Sequence, residues 1–198
     1  MKSNWILALA LTAVSAMAAD SFARIDAVPR NDKPMVKISP VNTDTVTPQH
    51  PDWMKKEPER AAARLTYQDK KPRTDEWKTY VLSFKAEETG TVDIQFGGGY
   101  AGDVTKRNWV YVRNVKVNGV SWKNNGDFKK YSYVEKGKKD MPSGFWVNRK
   151  GELIKDLGDG KTAVHANHDN RLSFSFNVVE GETYEVSVDF KAAPTPAP

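Results

Sequence analysis

His165-Ala166-Asn167-His168-Asp169 places two of the three histidines within reach of each other. Two imidazoles and a carboxylate are metal-ligand types. The stretch lacks the glutamate of a His-Glu-x-x-His motif, and no helix is expected there to turn both rings to one side. It follows a strand-like run at 161–164 and precedes another strand, so a loop is expected. Asp156-Leu157-Gly158-Asp159-Gly160 is turn chemistry, without the ligand spacing and terminal glutamate of a calcium loop. A glycosidase needs paired carboxylates at a set separation, and no pattern among the 25 acidic residues defines such a pair. Neither a Gly-x-Ser-x-Gly elbow nor a phosphate loop is present. The absence of cysteine excludes disulfides, thiolate metal sites, a cysteine nucleophile and a lipid anchor on cysteine. No catalytic residue and no metal ligand is assigned. The expectation is a binding module, not an enzyme.

Charge and termini narrow the class further. The net charge of +5 comes without any block of five or six like charges, so no nucleic-acid partner is expected. Lys2, an apolar run from Trp5 to Val14, and small residues at Ala16-Met17-Ala18 have the layout of a secretory signal spanning 1–19. That run is too short to span a bilayer comfortably, so no transmembrane anchor should remain after cleavage. A periplasmic or secreted protein follows. Residues 20–60 hold six of the eleven prolines and are expected as a linker in which a central strand is unlikely. A domain at 61–193 and a Pro-rich tail at 194–198 complete the chain.

Within the domain the apolar period is two. Tyr80, Leu82, Phe84 and Ala86 alternate with polar or exposed-type residues, as do Val92, Ile94 and Phe96. The same holds for Leu172, Phe174, Phe176 and Val178, and for Tyr184, Val186, Val188 and Phe190. Alternate side chains of a strand point to opposite faces, so each run has one apolar face. Residues 109–117 break the rule, because Val110 and Val112 take the opposite parity to Val115 and Val117. That strand is central, or it bulges near Arg113-Asn114. One-sided strands without a long helix predict an all-β antiparallel sandwich or jelly roll. Asn124-Asn125-Gly126-Asp127-Phe128 is the turn between its two halves.

The motifs also have a familiar order. Asn125-Gly126-Asp127-Phe128, Pro142-Ser143-Gly144-Phe145-Trp146 and Glu180-Gly181-Glu182-Thr183-Tyr184 resemble the first half of a galactose-binding-like jelly-roll carbohydrate-binding module of families four and nine. Asp75-Glu76-Trp77-Lys78-Thr79-Tyr80, Gly90-Thr91-Val92-Asp93-Ile94 and Val110-Tyr111-Val112-Arg113-Asn114-Val115 resemble its second half. Here the second half comes first, so the resemblance implies a circularly permuted jelly roll with Tyr184–Lys191 ending near Leu65–Tyr67. Members hold a structural calcium ion near the Asn-Gly-Asp-Phe motif. Lys129 and Arg113 replace the family's acidic residues, which argues against calcium and leaves no cofactor assigned.

The resemblance implies a polysaccharide or glycoconjugate partner. Sugars stack their C–H faces on aromatic rings, whose contact area comes at low entropy cost. Tyr100, Trp109, Tyr111, Trp122, Tyr131, Tyr133 and Trp146 are the candidate ligand-binding residues. Trp77 is expected in packing, and Tyr80 and Tyr184 are expected to be buried. The alternative is a structural or protein-interaction sandwich of the cell envelope, with no sugar site and an envelope protein as partner. A glycan-active enzyme is a third option. Export predicts a mature chain beginning at Ala19 or Asp20. An uncut mass for the purified exported protein would point to a retained N-terminal anchor.

Overall fold

The computed structural model describes residues 23–30, 35–42, 45–46, 59, 63–68, 75–99, 108–133, 140–147 and 151–195. The strands of the first half are β1 (Ala23–Pro29), β2 (Ile38–Pro40), β3 (Thr45–Val46), β4 (Leu65–Gln68), β5 (Lys78–Ala86), β6 (Gly90–Gly98), β7 (Val110–Val117) and β8 (Val120–Ser121). Those of the second half are β9 (Tyr131–Tyr133), β10 (Asp140–Pro142), β11 (Trp146–Val147), β12 (Glu152–Ile154), β13 (Ala163–Ala166), β14 (Leu172–Val178) and β15 (Thr183–Ala192).

The chain is an all-β antiparallel sandwich. One sheet has the order β11-β14-β6-β1-β4-β3; the other runs β12-β13-β7-β15-β5-β2, with β8 paired to β7. The period-two runs supply the facing sides. Leu82, Phe84, Val186, Val188 and Phe190 from one sheet meet Ile94, Phe96, Leu172 and Phe174 from the other in a single apolar cluster. Rings cross the gap: Phe96 lies 6.4 Å from Phe190, and Phe84 lies 6.4 Å from Phe176. Residues from both sides of the Asn-Gly turn therefore share one interior. Tyr80 is buried, and Tyr184 is half-buried with its hydroxyl accepting from the Val179 N–H at 2.9 Å.

The expected linker contains a central strand. β1 lies between β6 and β4, with all seven residues buried. The cause is a short alternation under the prolines. Ala23, Ile25 and Ala27 enter the core, while Arg24 and Asp26 take the other face. Pro29 stands at the strand end, and Pro40 ends the edge strand β2, positions where a missing N–H costs little. The signal segment, Tyr100 and the last residues of the tail lie outside the described residues.

β7 bulges where its parity breaks. Ser187 pairs with Lys116 and Asp189 with Arg113, so Asn114 and Val115 on β7 oppose the single residue Val188. Asn114 takes φ 54°, and the extra residue restores the apolar phase. Val110, Val112 and Val115 are all fully buried as a result. Trp109, Tyr111 and Arg113 fall on the outer side.

The Asn-Gly turn is built differently from a simple left-handed glycine turn. Lys123, Asn124 and Phe128 carry the positive φ values, and Gly126 does not. Glycine is needed at 126 for closeness: a Cβ there would sit 2.0 Å from the Val115 carbonyl. Asn125 is buried; its amide donates to the carbonyls of Lys130 at 2.7 Å and Ser143 at 3.0 Å, and its carbonyl accepts from the Lys130 N–H. Gly126→Ala is expected to lower stability by about 1–3 kcal/mol through overpacking against backbone. Urea denaturation of the variant checks this.

Candidate functional site

A polar row crosses the outer face of the six-stranded sheet. Directly opposed residues of antiparallel strands share a face. Trp146 on β11 opposes Ser173 on β14, Ser173 opposes Gln95 on β6, Gln95 opposes Asp26 on β1, and Asp26 opposes Thr66 on β4. The next row along carries Arg171, Gly97 and Arg24. Gly97 is required there, because a Cβ would lie 2.5 Å from the Asn167 carbonyl of the loop that passes over it.

Asp26 is the centre of this face. Both its oxygens accept from Arg24 Nε at 2.9 Å; Arg64 donates to both, through Nε at 3.1 Å and through Nη2. Thr66 Oγ1 donates to Oδ1, and Arg171 Nη1 reaches Oδ2 at 3.3 Å. Arg171 donates from the same nitrogen to Gln95 Oε1 and from Nε to the His168 carbonyl. Its Nη2 lies 3.0 Å from His168 Nε2. A guanidinium can only donate, so His168 Nε2 accepts and its Nδ1–H points to Asp169 Oδ1, 3.1 Å away. Gln95, His168, Asp169, Arg171 and Ser173 line an open cleft of about 290 Å³. Trp146 stands beside it on the edge strand, 68% exposed.

Burial alone would raise the Asp26 pKa. The guanidinia of Arg24, Arg64 and Arg171 outweigh it and hold the carboxyl well below the usual carboxylate range. Burial pushes Arg171 down to about 10, opposed by Asp26 and aided by its two arginine neighbours, so it is cationic at neutral pH.

The other candidates are dispersed. Trp109 is buried, 4.4 Å from the His165 ring, and half-buried Tyr111 lies 5.3 Å from the same ring, on the outer side of the seven-stranded sheet. Trp122 packs 4.5 Å from Phe174 and donates from Nε1 to the Gly144 carbonyl at 3.2 Å. Tyr131 is exposed, with Lys155 Nζ 4.3 Å above its ring. Tyr133 lies in β9, its side chain outside the described residues. Trp77 is not core packing: its ring lies on the outer side under the Arg113 guanidinium, at 3.6 Å, and Arg113 also pairs with Asp159 at 2.9 Å.

The histidine pair divides. His165 belongs to β13, with Nε2 2.9 Å from the Pro194 carbonyl, while His168 sits in the following loop on Arg171. Among the described residues no three metal-ligating side chains of the His, Cys, Asp and Glu types converge. Asp127 is held by Lys129 at 2.8 Å, and Asp156 caps its own loop by accepting from the N–H groups of Gly158 and Gly160. Neither arrangement fits a calcium ion.

Arg24, Asp26, Arg64, Gln95 and Arg171 were not among the sequence candidates. The signal was the alternation of Arg24 and Asp26 with Ile25 and Ala27, five residues long beside Pro29. No protein-family model matches the chain, and no curated protein or solved structure matches it.

Because the folded pKa of Asp26 is depressed, its stabilising contribution is present above about pH 4 and is lost as pH falls below that value. Urea midpoints are expected to hold from neutrality to about pH 5 and to drop under pH 4. Asp26→Asn leaves buried guanidinia without their counter-charge. It is expected to cost about 3–5 kcal/mol at neutral pH and to flatten the acid limb.

Proposed function

We propose that the chain is an exported, non-catalytic β-sandwich that binds carbohydrate on the outer face of its six-stranded sheet. The observation that carries this reading is Trp146. This tryptophan is 68% exposed and lies in strand register with Ser173 and Gln95, two of the residues that line the polar cleft. An indole face beside convergent donors and acceptors is the arrangement a sugar ring requires: C–H groups on the ring, hydroxyls on the polar side chains.

The reading extends to a module of the galactose-binding-like jelly-roll type with its halves in permuted order. The chain of rings from Phe190 through Tyr80 to Tyr67 supports this, with centroids 5.5 and 6.1 Å apart. It links the end of β15 and the β4 segment, the two points that such a permutation would join, across the interior between the two sheets.

A glycan array probed with the mature chain tests the function. Trp146→Ala is expected to weaken glycan binding about tenfold or more with an unchanged melting temperature. That factor corresponds to the loss of one ring's stacking contact. Trp122→Ala is expected instead to lower stability by about 3 kcal/mol, because its ring packs on Phe174. Silence across plant, microbial and mucin glycans, with retention of an envelope protein in a pull-down, would replace the sugar reading with that of an interaction sandwich.

A further inference from the structure

We propose that the free edge of β14 takes up an extended segment of another protein as an added strand of the six-stranded sheet. The segment runs antiparallel to β14 and carries basic residues at its amino-terminal end. The site is separate from the cleft and does not depend on the carbohydrate reading.

The edge is open because the outer neighbour of β14 is short. β14 has seven residues, and β11 has two, which pair with Leu172 and Ser173. The chain leading into β11 turns away: Gly144 has φ 85°, and the Phe145 N–H donates to the Pro142 carbonyl at 3.1 Å. The ladder decides which groups of β14 face outward. The Arg30 N–H donates to the Thr91 carbonyl, so the backbone groups of Thr91 face β1. Successive residues of an antiparallel ladder bond to opposite sides. Val92 therefore bonds its partner Phe176, and Ser175 and Asn177 turn their N–H and C=O groups away from β6. Val179, next in that series, gives its N–H to the Tyr184 hydroxyl at 2.9 Å. Among the described residues nothing bonds the outward backbone groups of Ser175 and Asn177.

The facing sheet presents an apolar residue to the same place. Val120 on β8 opposes Val117 and so points to the inner face, yet it is 65% exposed. Trp122, just after β8, packs on Phe174 and Phe176 at 4.5 and 5.8 Å. β8 thus lies against the edge of β14. A strand added beside Ser175 and Asn177 extends the six-stranded sheet over Val120 and along the flank of half-buried Phe176.

The other edges are closed by devices that this one lacks. Sheet edges are blunted by shortness, proline or charge. β2 covers part of β5 and ends at Pro40; the Asn42 side chain continues the pairing, donating to the Val81 carbonyl and accepting from the Ser83 N–H, both at 3.1 Å. β3 and β12 have two and three residues. The outer-face residues of β14 are Ser173, Ser175 and Asn177, with no charge, proline or bulge among them. An uncharged, unpaired edge beside apolar side chains suits strand addition, in which main-chain bonds give affinity and alternate side chains give selectivity.

Charge at the two ends sets the partner's polarity. Glu180 and Glu182 stand in the turn after β14, exposed and with no ion pair among the described residues. Lys123 lies at the opposite end, where a Cβ on Gly144 would come 3.1 Å from its Cδ. An antiparallel segment begins beside Glu180 and ends beside Lys123. Basic residues first, an acidic residue last and apolar residues opposite Val178 and Phe176 match that frame.

The probe is the peptide acetyl-Lys-Lys-Val-Thr-Val-Thr-Glu-amide, titrated at low salt into the isotope-labelled mature chain and followed by amide hydrogen exchange. In the free chain the amides of Ser175 and Asn177 are expected to exchange fast and those of Phe174 and Phe176 slowly. With peptide at about ten times its Kd, Ser175 and Asn177 should slow about tenfold. The charge-reversed peptide, with glutamates first and lysine last, should bind about fivefold or more weakly. Methylation of both threonine amide nitrogens should abolish binding, because those N–H groups face β14. N177P should abolish it with little change in melting temperature, since the lost N–H makes no ladder bond. V120S should weaken it about threefold.

Slow exchange of Ser175 and Asn177 in a free monomer would show the edge to be closed and overturn the proposal. Slow exchange that appears with a dimer mass in light scattering would give the edge to a second copy of this chain instead. Equal binding of the charge-reversed peptide would overturn the polarity, and no protection by either peptide would overturn the site. Should N177P fail to fold, the methylated peptide on the unmodified chain decides. Glycan binding, present or absent, is unaffected by any of these outcomes.

Discussion

One carboxylate, Asp26, is shared among three guanidinium groups, and the outer half of the six-stranded sheet is arranged around that sharing. A lone carboxylate at 1% exposure would neutralise itself rather than stay ionised. Here Arg24 comes from its own strand, Arg64 from the residue before β4, and Arg171 from the residue before β14. Thr66 and Gln95 fill the remaining positions. Groups from four neighbouring strands must be in register for the charge to be tolerated. The cluster thus specifies strand order on the outer face, while the apolar side chains beneath supply the stabilisation.

The inner face obeys a different constraint, close packing without voids. Two devices bring the halves of the chain to it. The bulge at Asn114 rephases β7, so that its second pair of valines points inward like its first. The buried amide of Asn125 ties the turn to Lys130 and Ser143, and Gly126 lets that turn press against the Val115 carbonyl. Phe128 and Phe145 are then delivered to the core beside Phe174. The turn joins the halves by filling the interior at one edge.

The two outer faces are unlike. On the seven-stranded sheet the aromatic residues are closed in: Trp109 and Tyr111 flank His165, and Trp77 lies under Arg113. On the six-stranded sheet the polar centre is buried and the aromatic ring is free. The proposed carbohydrate site uses that difference: Trp146 is open on the edge strand, and Ser173 and Gln95 face the cleft beside it.

The sequence by itself determined the class of fold, the principal strands and the point near Arg113-Asn114 where the parity of β7 breaks. These depend on side-chain alternation along one strand, which is local and has a period of two. Trp146 stood among seven candidate aromatics, with nothing in its neighbours to separate it from Trp122. The tertiary structure separated them, because exposure depends on what a distant strand places over a ring: Phe174 covers Trp122, and β11 at the sheet edge leaves Trp146 open. It also decided the role of Ala23–Pro29. A short alternation among prolines cannot outweigh them locally, and pairing with β4 and β6, some 40 to 70 residues away, supplies the hydrogen bonds that make it a central strand. Asp26 and Arg171, 145 positions apart, meet only because those pairings bring β1 and β14 to either side of β6.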